Sequence, residues 1–311
     1  MEPDVDAARL VEWARSRGVP MAVADPGLVD EVRHDLERRL AEGQIDAAFW
    51  AAHMDWFRWP EGSPLPEGRS LILLAVPRPA HLLLFETAAG EIETLVPPTY
   101  VNYRRLQEDV RREVAERVFG GRRRVESLPA PLKSVAARAG LVRYGRNNVT
   151  YAEGTGSYHQ IVGLITDAPL HGIPRAASRD PEPLASCEAC TSCLSACPSG
   201  AIGEDRFLLH GERCLTVFSE SEAPWPEGLP RPGRACLIGC LDCQEACPEN
   251  AGLLRLERVE VGFTAPETAA LLAAEEAIPD ERSRSVEEKI ARLDLGATPP
   301  LLRRNLRALY L

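Results

Sequence analysis

Three observations predict an α+β chain in consecutive parts. Apolar strand-like runs alternate with helical patterns up to about residue 175. All nine cysteines fall between positions 187 and 247, and three short helical patterns close the chain. A length of 311 residues fits one large or two medium domains. Hydrophobic residues make up 45% and charged residues 26%, the balance of a globular chain with a sizeable core. That excludes a disordered tail, a collagenous repeat and a disulfide mini-scaffold. No apolar run approaches the roughly 18 residues of a membrane span. The acidic start Met1-Glu2-Pro3-Asp4 is not a signal peptide, so a cytoplasmic protein without membrane contact is expected. The 36 basic and 46 acidic residues give a net charge of −10, a poor starting point for binding nucleic acid. Only Lys133 and Lys289 are lysines; every other basic residue is arginine.

Residues 1–60 read as helical around a short strand at Val19 to Ala24, with one helix near Leu10 and another from Leu28 to Leu40. Ser70 to Val76 is a continuous apolar run, the pattern of a buried strand. His81 to Glu86 and Glu91 to Val96 flank Ala88-Ala89-Gly90 as a hairpin would. Tyr103 to Phe119 reads as a helix stopped by Gly120-Gly121, and Pro131 to Ala139 as another stopped by Gly140. Tyr158 to Thr166 is a further apolar strand. Prolines at 169, 174, 181 and 183 mark a linker. The expected division is therefore an α/β domain over 1–175, a cysteine module over 184–251 and a short helical segment over 252–311. That last segment carries patterns at Glu267–Glu275, Val286–Leu293 and Leu301–Leu309.

The cysteine spacing carries the chemistry. Cys187-x2-Cys190-x2-Cys193-x3-Cys197-Pro198 is the bacterial ferredoxin run for a [4Fe–4S] cluster, whose fourth cysteine ligates the other cluster in two-cluster ferredoxins. Cys240-x2-Cys243-x3-Cys247-Pro248 repeats its last three cysteines. Zinc sites often use two Cys-x2-Cys pairs, and a four-cysteine run beside its own echo is not that arrangement. The expectation is a bacterial-ferredoxin-like module with two [4Fe–4S] clusters. One cluster takes Cys187, Cys190, Cys193 and Cys247; the other takes Cys240, Cys243 and Cys197. The eighth ligand is Cys214 or Cys236. Repeat symmetry points to position 237, which is Leu, so spacing alone does not choose.

From about residue 65 to the end, and most strongly over 187–250, the chain resembles the epoxyqueuosine reductase family, cobalamin-dependent iron–sulfur enzymes of tRNA modification. The segment from Gly239 to Asn250, with its Gln244 and Pro248-Glu249-Asn250, matches the family's second cysteine run. Arg213-Cys214-Leu215-Thr216 matches its arginine–cysteine segment, which implies Cys214 as the eighth ligand and Cys236 as spare. Gly145-Arg146-Asn147 resembles a signature that usually reads Gly-Lys-Asn, and Gly156-Ser157-Tyr158 resembles the next one. In the family these segments build a pocket for base-off cobalamin and substrate. The resemblance thus implies Gly145, Arg146, Asn147, Gly156, Ser157 and Tyr158 as cofactor-binding residues, with Arg146 able to pair with a phosphate of the cofactor's tail. Two departures stand out. The family's proposed proton donor is an Asp, where this chain has Glu126, one methylene longer. Well-studied members also carry HEAT-like repeats that help hold tRNA, whereas this sequence stops soon after Arg303-Arg304-Asn305.

The resemblance implies a reductase that passes electrons from two clusters to a corrinoid, which reduces an epoxide-like C–O bond with Glu126 as acid. A ferredoxin- or flavodoxin-type donor would feed it. The substrate is expected to be a tRNA or a small molecule, and the missing repeats count against tRNA. Residues 101–146 hold 12 basic and 5 acidic residues, including Arg122-Arg123-Arg124, which reads as a phosphate-contacting face or a solvated one. The competing reading is an electron-transfer protein without corrinoid. His159 could face a cofactor or sit satisfied in its strand.

Overall fold

The computed structural model describes residues 4–53, 63–176, 180–204, 208–273 and 281–310. In chain order the elements are α1 (Val5–Ser16), β1 (Met21–Ala24), α2 (Leu28–Ala41), α3 (Ala47–His53), β2 (Ser70–Pro77), β3 (Ala80–Thr87) and β4 (Gly90–Val96). Then come α4 (Tyr103–Glu113) with a π-helical turn (Val114–Val118), β5 (Val125–Ser127), α5 (Leu132–Arg138), β6 (Arg143–Tyr144), β7 (Thr150–Tyr151) and β8 (His159–Thr166). The remainder is α6 (Ser192–Ala196), α7 (Leu215–Glu220), α8 (Asp242–Glu245), β9 (Leu256–Arg258), α9 (Ala265–Leu272), α10 (Glu281–Leu293) and α11 (Pro299–Tyr310).

The chain forms two compact units, Met1–Pro77 with Arg105–Cys190, and Arg78–Arg104 with Thr191–Leu311. This differs from three consecutive blocks. The hairpin β3–β4 leaves the N-terminal block, and the helical C-terminus shares a unit with most of the cysteines. The reason is pairing the sequence does not signal. Ala80–Leu82 pairs in parallel with Leu256–Arg258, three exposed residues with no alternation to betray a strand.

In the first unit the sheet order is β1-β2-β8-β5, antiparallel throughout. Its two central strands are continuous apolar runs because both faces are covered. One face packs Ile72, Leu74, Val162 and Leu164 against Leu10 and Trp13 of α1 and Val110 of α4. The other packs Leu71, Leu73 and Ile165 against Val32 of α2 and Val135 of α5. A Cβ at Gly163 would come within 2.4 Å of Leu132 Cδ2, so a glycine there lets α5 lie close on β8. The proline-rich stretch is partly a packed strap. Ala176 N–H donates to Val23 O, and the Arg175 guanidinium donates to the carbonyls of Ala24, Arg69 and Pro169. The arginine run is neutralised locally: Arg122 and Arg123 both hold the buried Asp6 carboxylate, at 2.9 and 2.8 Å, and Arg124 pairs with Glu67. The solvated, internally paired reading of this run is the one the structure supports.

The second unit gathers its core between β3–β4 and the last three helices, with Leu83, Phe85, Phe263, Leu271, Ile290 and Leu302 in one apolar cluster. The Phe85 and Phe263 rings stack at 4.8 Å. Thr264 and Glu267 form a capping box at the start of α9. The same carboxylate accepts from Lys289 Nζ and Ser285 Oγ, each at 2.5 Å. Burial pushes the Glu267 pKa up, but Lys289, Ser285 and Thr264 more than reverse this and bring it down to about 2. Its folded pKa is depressed, so its contribution to stability is complete above its ordinary value of 4.5 and is lost as pH falls towards 2. Glu267→Gln is expected to cost about 2 kcal/mol at pH 7. Urea denaturation of the full chain should show the gap from wild type narrowing as pH drops below 4.5.

Candidate iron–sulfur and cofactor site

Within the second unit the internal repeat is visible as geometry. The short helices α6, carrying Cys193, and α8, carrying Cys243, pack against each other. Each ends at a Cys–Pro step. Cys197 (φ −74, ψ 108) and Cys247 (φ −78, ψ 123) are extended because a following proline disfavours the helical region. Each stays tied to its own turn, Cys197 N–H to Cys193 O at 3.1 Å and Cys247 N–H to Gln244 O at 3.2 Å. The thiol is thereby redirected just where the helix stops.

The residues around the second run are explained by what they hold. Asn250 Nδ2 donates to Gln244 O at 2.7 Å, closing the turn past Pro248. The Asp242 carboxylate accepts from Gly233 N at 2.8 Å and fixes the loop before Cys236. Gly239 sits at φ 74, and a Cβ there would come within 2.8 Å of the Tyr100 oxygen. Its N–H donates to Ser219 Oγ at 2.7 Å.

Cys214 stands at the head of α7. Burial pushes its thiol pKa up, the Thr216 N–H and hydroxyl pull it down, and the charge of nearby Cys197 pushes it up again. Cys236 is buried on a backbone bridge to Leu95, and burial, with Asp242 second, pushes its thiol up to about 12. Burial also pushes Cys240 up; Asp242 lends it an N–H, and Cys243 and Cys236 are within electrostatic reach. The C-terminal arginine–asparagine pair has a defined task here. Arg304 donates to Phe218 O and Ser221 O at 2.7 and 2.6 Å, and Asn305 to Ser219 O at 2.8 Å, so α11 caps the open end of α7.

All nine cysteines are free thiols. Among the described residues, no three His, Cys, Asp or Glu side chains lie together as ligands of one metal ion. The spacing of the donor set, a four-cysteine run with a Cys–Pro end beside its own echo, suits [4Fe–4S] clusters rather than the paired Cys-x2-Cys ligands of zinc.

In the first unit, residues 145–149 are the turn of the β6–β7 hairpin. A Cβ at Gly145 would meet Asn147 Oδ1 and the Tyr151 ring, both at 2.6 Å. Asn147 is 3% exposed; its Nδ2 donates to Tyr151 Oη at 2.9 Å and its Oδ1 accepts from Val149 N at 3.3 Å. Arg146 turns to a cysteine: its N–H points to Cys187 Sγ at 3.4 Å and its Nη2 donates to Cys187 O at 2.8 Å. Gly156, at φ 56, closes a second turn by accepting from Ala152 N at 2.9 Å, and the following Ser157 and Tyr158 are buried.

His159 is also buried, with Nδ1 3.1 Å from Gly156 O and Nε2 3.3 Å from Thr150 Oγ1. A carbonyl can only accept, so Nδ1 carries the proton and Nε2 accepts from the threonine. Burial brings its pKa down to about 4, which keeps it neutral at pH 7. It is the satisfied strand histidine, not an open ligand.

Glu126, half-buried on β5, pairs with Ile165 and so shares the sheet face of Ile165, Gly163 and Ile161. Val142 and Ala152, which flank the two turns, pack on Ile161 of that face. From Ile165 back to His159, β8 spans roughly 20 Å. Glu126 and the turn at Gly156 therefore lie towards opposite ends of one strand. Sequence reasoning missed β5 itself, because three residues carry no periodicity. It also missed the grip of Arg146 on Cys187, which no spacing rule encodes.

Residues 186–250 match the family described as a 4Fe-4S double cluster binding domain. The architecture matches a solved epoxyqueuosine reductase from Streptococcus thermophilus with a TM-score of 0.67 at 17% identity, covering 96% of this chain and 79% of that one. The fold is that of the epoxyqueuosine reductases. An epoxyqueuosine reductase solved with an epoxyqueuosine-modified tRNA-Tyr stem loop gives 0.60 at 21% identity, again over 96% and 79% of the chains. Among curated relatives, the epoxyqueuosine reductase of Cellulophaga algicola is 32% identical over 148 residues, 47% of this chain and 45% of that protein. The epoxyqueuosine reductase of Bacillus subtilis is 31% identical over 120 residues, 39% of this chain and 29% of that protein. The match thus spans less than half the length of these epoxyqueuosine reductases. Among the described residues no helix is long and apolar enough to cross a membrane.

Gly239→Ala is expected to strain the second cysteine run, because a left-handed residue acquires a Cβ against the Tyr100 oxygen. After anaerobic reconstitution, colorimetric iron analysis should fall from about eight towards about four atoms per chain.

Proposed function

We propose that this chain is an iron–sulfur reductase of the epoxyqueuosine-reductase type, whose two [4Fe–4S] clusters would supply electrons, by way of a bound corrinoid, for reduction of an epoxide-like C–O bond. The observation that carries this reading is the packed pair α6 and α8, each ending in Cys–Pro, inside an epoxyqueuosine-reductase fold. One cluster would be held by Cys187, Cys190, Cys193 and Cys247, the other by Cys197, Cys214, Cys240 and Cys243. Cys214 is favoured as the eighth ligand by its place beside Cys197 at the head of a helix that α11 caps. Cys236 stays a packed thiol.

A corrinoid, when bound, supplies the reductive chemistry at its cobalt. The chain's part is to present the turns at 145–149 and 156–158 as a rigid rim. The polar atoms of Asn147 are engaged inside the first turn, so that rim would offer main-chain groups more than side-chain tips. Glu126 is the carboxyl assigned to protonate the departing oxygen. Electrons would come from a ferredoxin- or flavodoxin-type donor. A small-molecule substrate is the second reading, favoured by the pairing of Arg122, Arg123 and Arg124 with carboxylates.

Two measurements test the proposal. Cys214→Ala should lose about half of the roughly eight irons expected for two clusters, whereas Cys236→Ala should keep them; the reverse pattern would transfer the ligand role to Cys236. Glu126→Gln should lower the turnover of an epoxyqueuosine-bearing stem loop, or of the free nucleoside, by about 100-fold with iron content unchanged. Full activity in that variant would remove Glu126 from the reaction. Intact clusters with no turnover of either substrate would favour an electron-transfer role.

A further inference from the structure

The arginine in the Gly145-Arg146-Asn147 turn does not reach outwards. Its two ends close on one residue, Cys187, the first thiol of the first run. The main-chain N–H lies 3.4 Å from the sulfur, and Nη2 lies 2.8 Å from the carbonyl oxygen of the same residue. The guanidinium is thereby fixed within a side chain's length of the sulfur. Its Nε is buried without a hydrogen-bond partner. Other arginines of this unit have their charge answered nearby, Arg122 and Arg123 by Asp6 and Arg138 by Asp35. Among the described residues no carboxylate pairs with Arg146. A rigid turn, locked by Asn147 and by a glycine that leaves room for the Tyr151 ring, holds this cation in place.

We infer that Arg146 is a positioning residue for the cluster bound through Cys187, and that it sets that cluster's reduction potential above the value the cysteines alone would give. The inference rests on the proposed role of Cys187 as a cluster ligand. Its physical basis is charge. One-electron reduction of a [4Fe–4S]²⁺ cluster to the 1+ state adds one negative charge to the cube and its thiolates, so a fixed cation beside a ligand favours the reduced form. The amide N–H on the sulfur acts in the same direction, since hydrogen bonds to cluster sulfurs raise the potential. The carbonyl contact holds the Cys187 backbone against the 145–149 turn. Lysine would keep the charge but lose the planar fork. Glutamine would keep a donor for the carbonyl but lose the charge.

The test is an anaerobic redox titration of the full, reconstituted chain, following each cluster's EPR signal against solution potential, for wild type, Arg146→Gln and Arg146→Lys. In Arg146→Gln one cluster's midpoint should move to more negative potential while the other stays in place, with wild-type iron content. Arg146→Lys should return that midpoint most of the way. Unmoved midpoints, an equal shift of both clusters, or the same shift in the lysine variant would overturn the inference. So would loss of one cluster's iron in both variants, which marks a purely structural hold. In each of those cases wild type still carries two clusters and the cluster reading stands. A wild-type chain that assembles fewer than two clusters defeats that reading and this inference together.

Discussion

A thiol buried in protein resists ionisation, yet a cysteine binds an iron–sulfur cluster as its thiolate. In this chain burial raises the pKa of Cys214 and Cys240, two of the proposed ligands. Bound iron would supply the charge that makes those thiolates stable, with the protein holding the sulfurs in place beforehand. Much of the second unit serves that end. Gly239 admits Tyr100, Asp242 pins the loop before Cys236, Asn250 closes the turn after Pro248, and α11 grips α7 through Arg304 and Asn305. The apolar cluster of β3, β4 and the C-terminal helices is the footing from which these polar contacts act.

The first unit obeys a different constraint. Its sheet is covered on both faces, and a group of its buried polar residues, Asn147, Thr150, Thr155 and His159, lies at strand ends and turns. There they are joined into closed networks. Asn147 with Tyr151, and His159 with Thr150, Thr155 and Gly156, leave short turns with fixed main chains. Such turns suit a large cofactor, because little entropy is lost on binding to a surface that is already ordered. Arg146 belongs to one of these turns and also touches Cys187, within one unit.

Much of this was legible in the sequence where the signal is periodic or spaced. The runs Ser70 to Val76 and Tyr158 to Thr166 became the central strands, and the hairpin around Gly90 and the helix stopped at Gly120 formed as their patterns require. The cysteine spacing exposed the repeat that α6 and α8 display. What stayed hidden depends on contacts distant in sequence. β9 is three exposed residues that become a strand only by lying beside Ala80–Leu82, and this pairing moves the hairpin into the second unit. The basic run Arg122 to Arg124 gives no hint that Asp6 and Glu67 answer it. The resemblance offered Arg146 as a partner for a phosphate; its contacts with Cys187 lie beyond what spacing encodes, because sequence shows a charge but not where its side chain is held.

The proposed function gives the first unit a corrinoid site in a chain that also carries the cysteines of two clusters. The most direct measurement is the EPR spectrum of cob(II)alamin added anaerobically to the reconstituted chain. Conversion to the base-off form is expected, in a roughly one-to-one ratio with protein, as for a single site. A free-cobalamin spectrum over two intact clusters would contradict it.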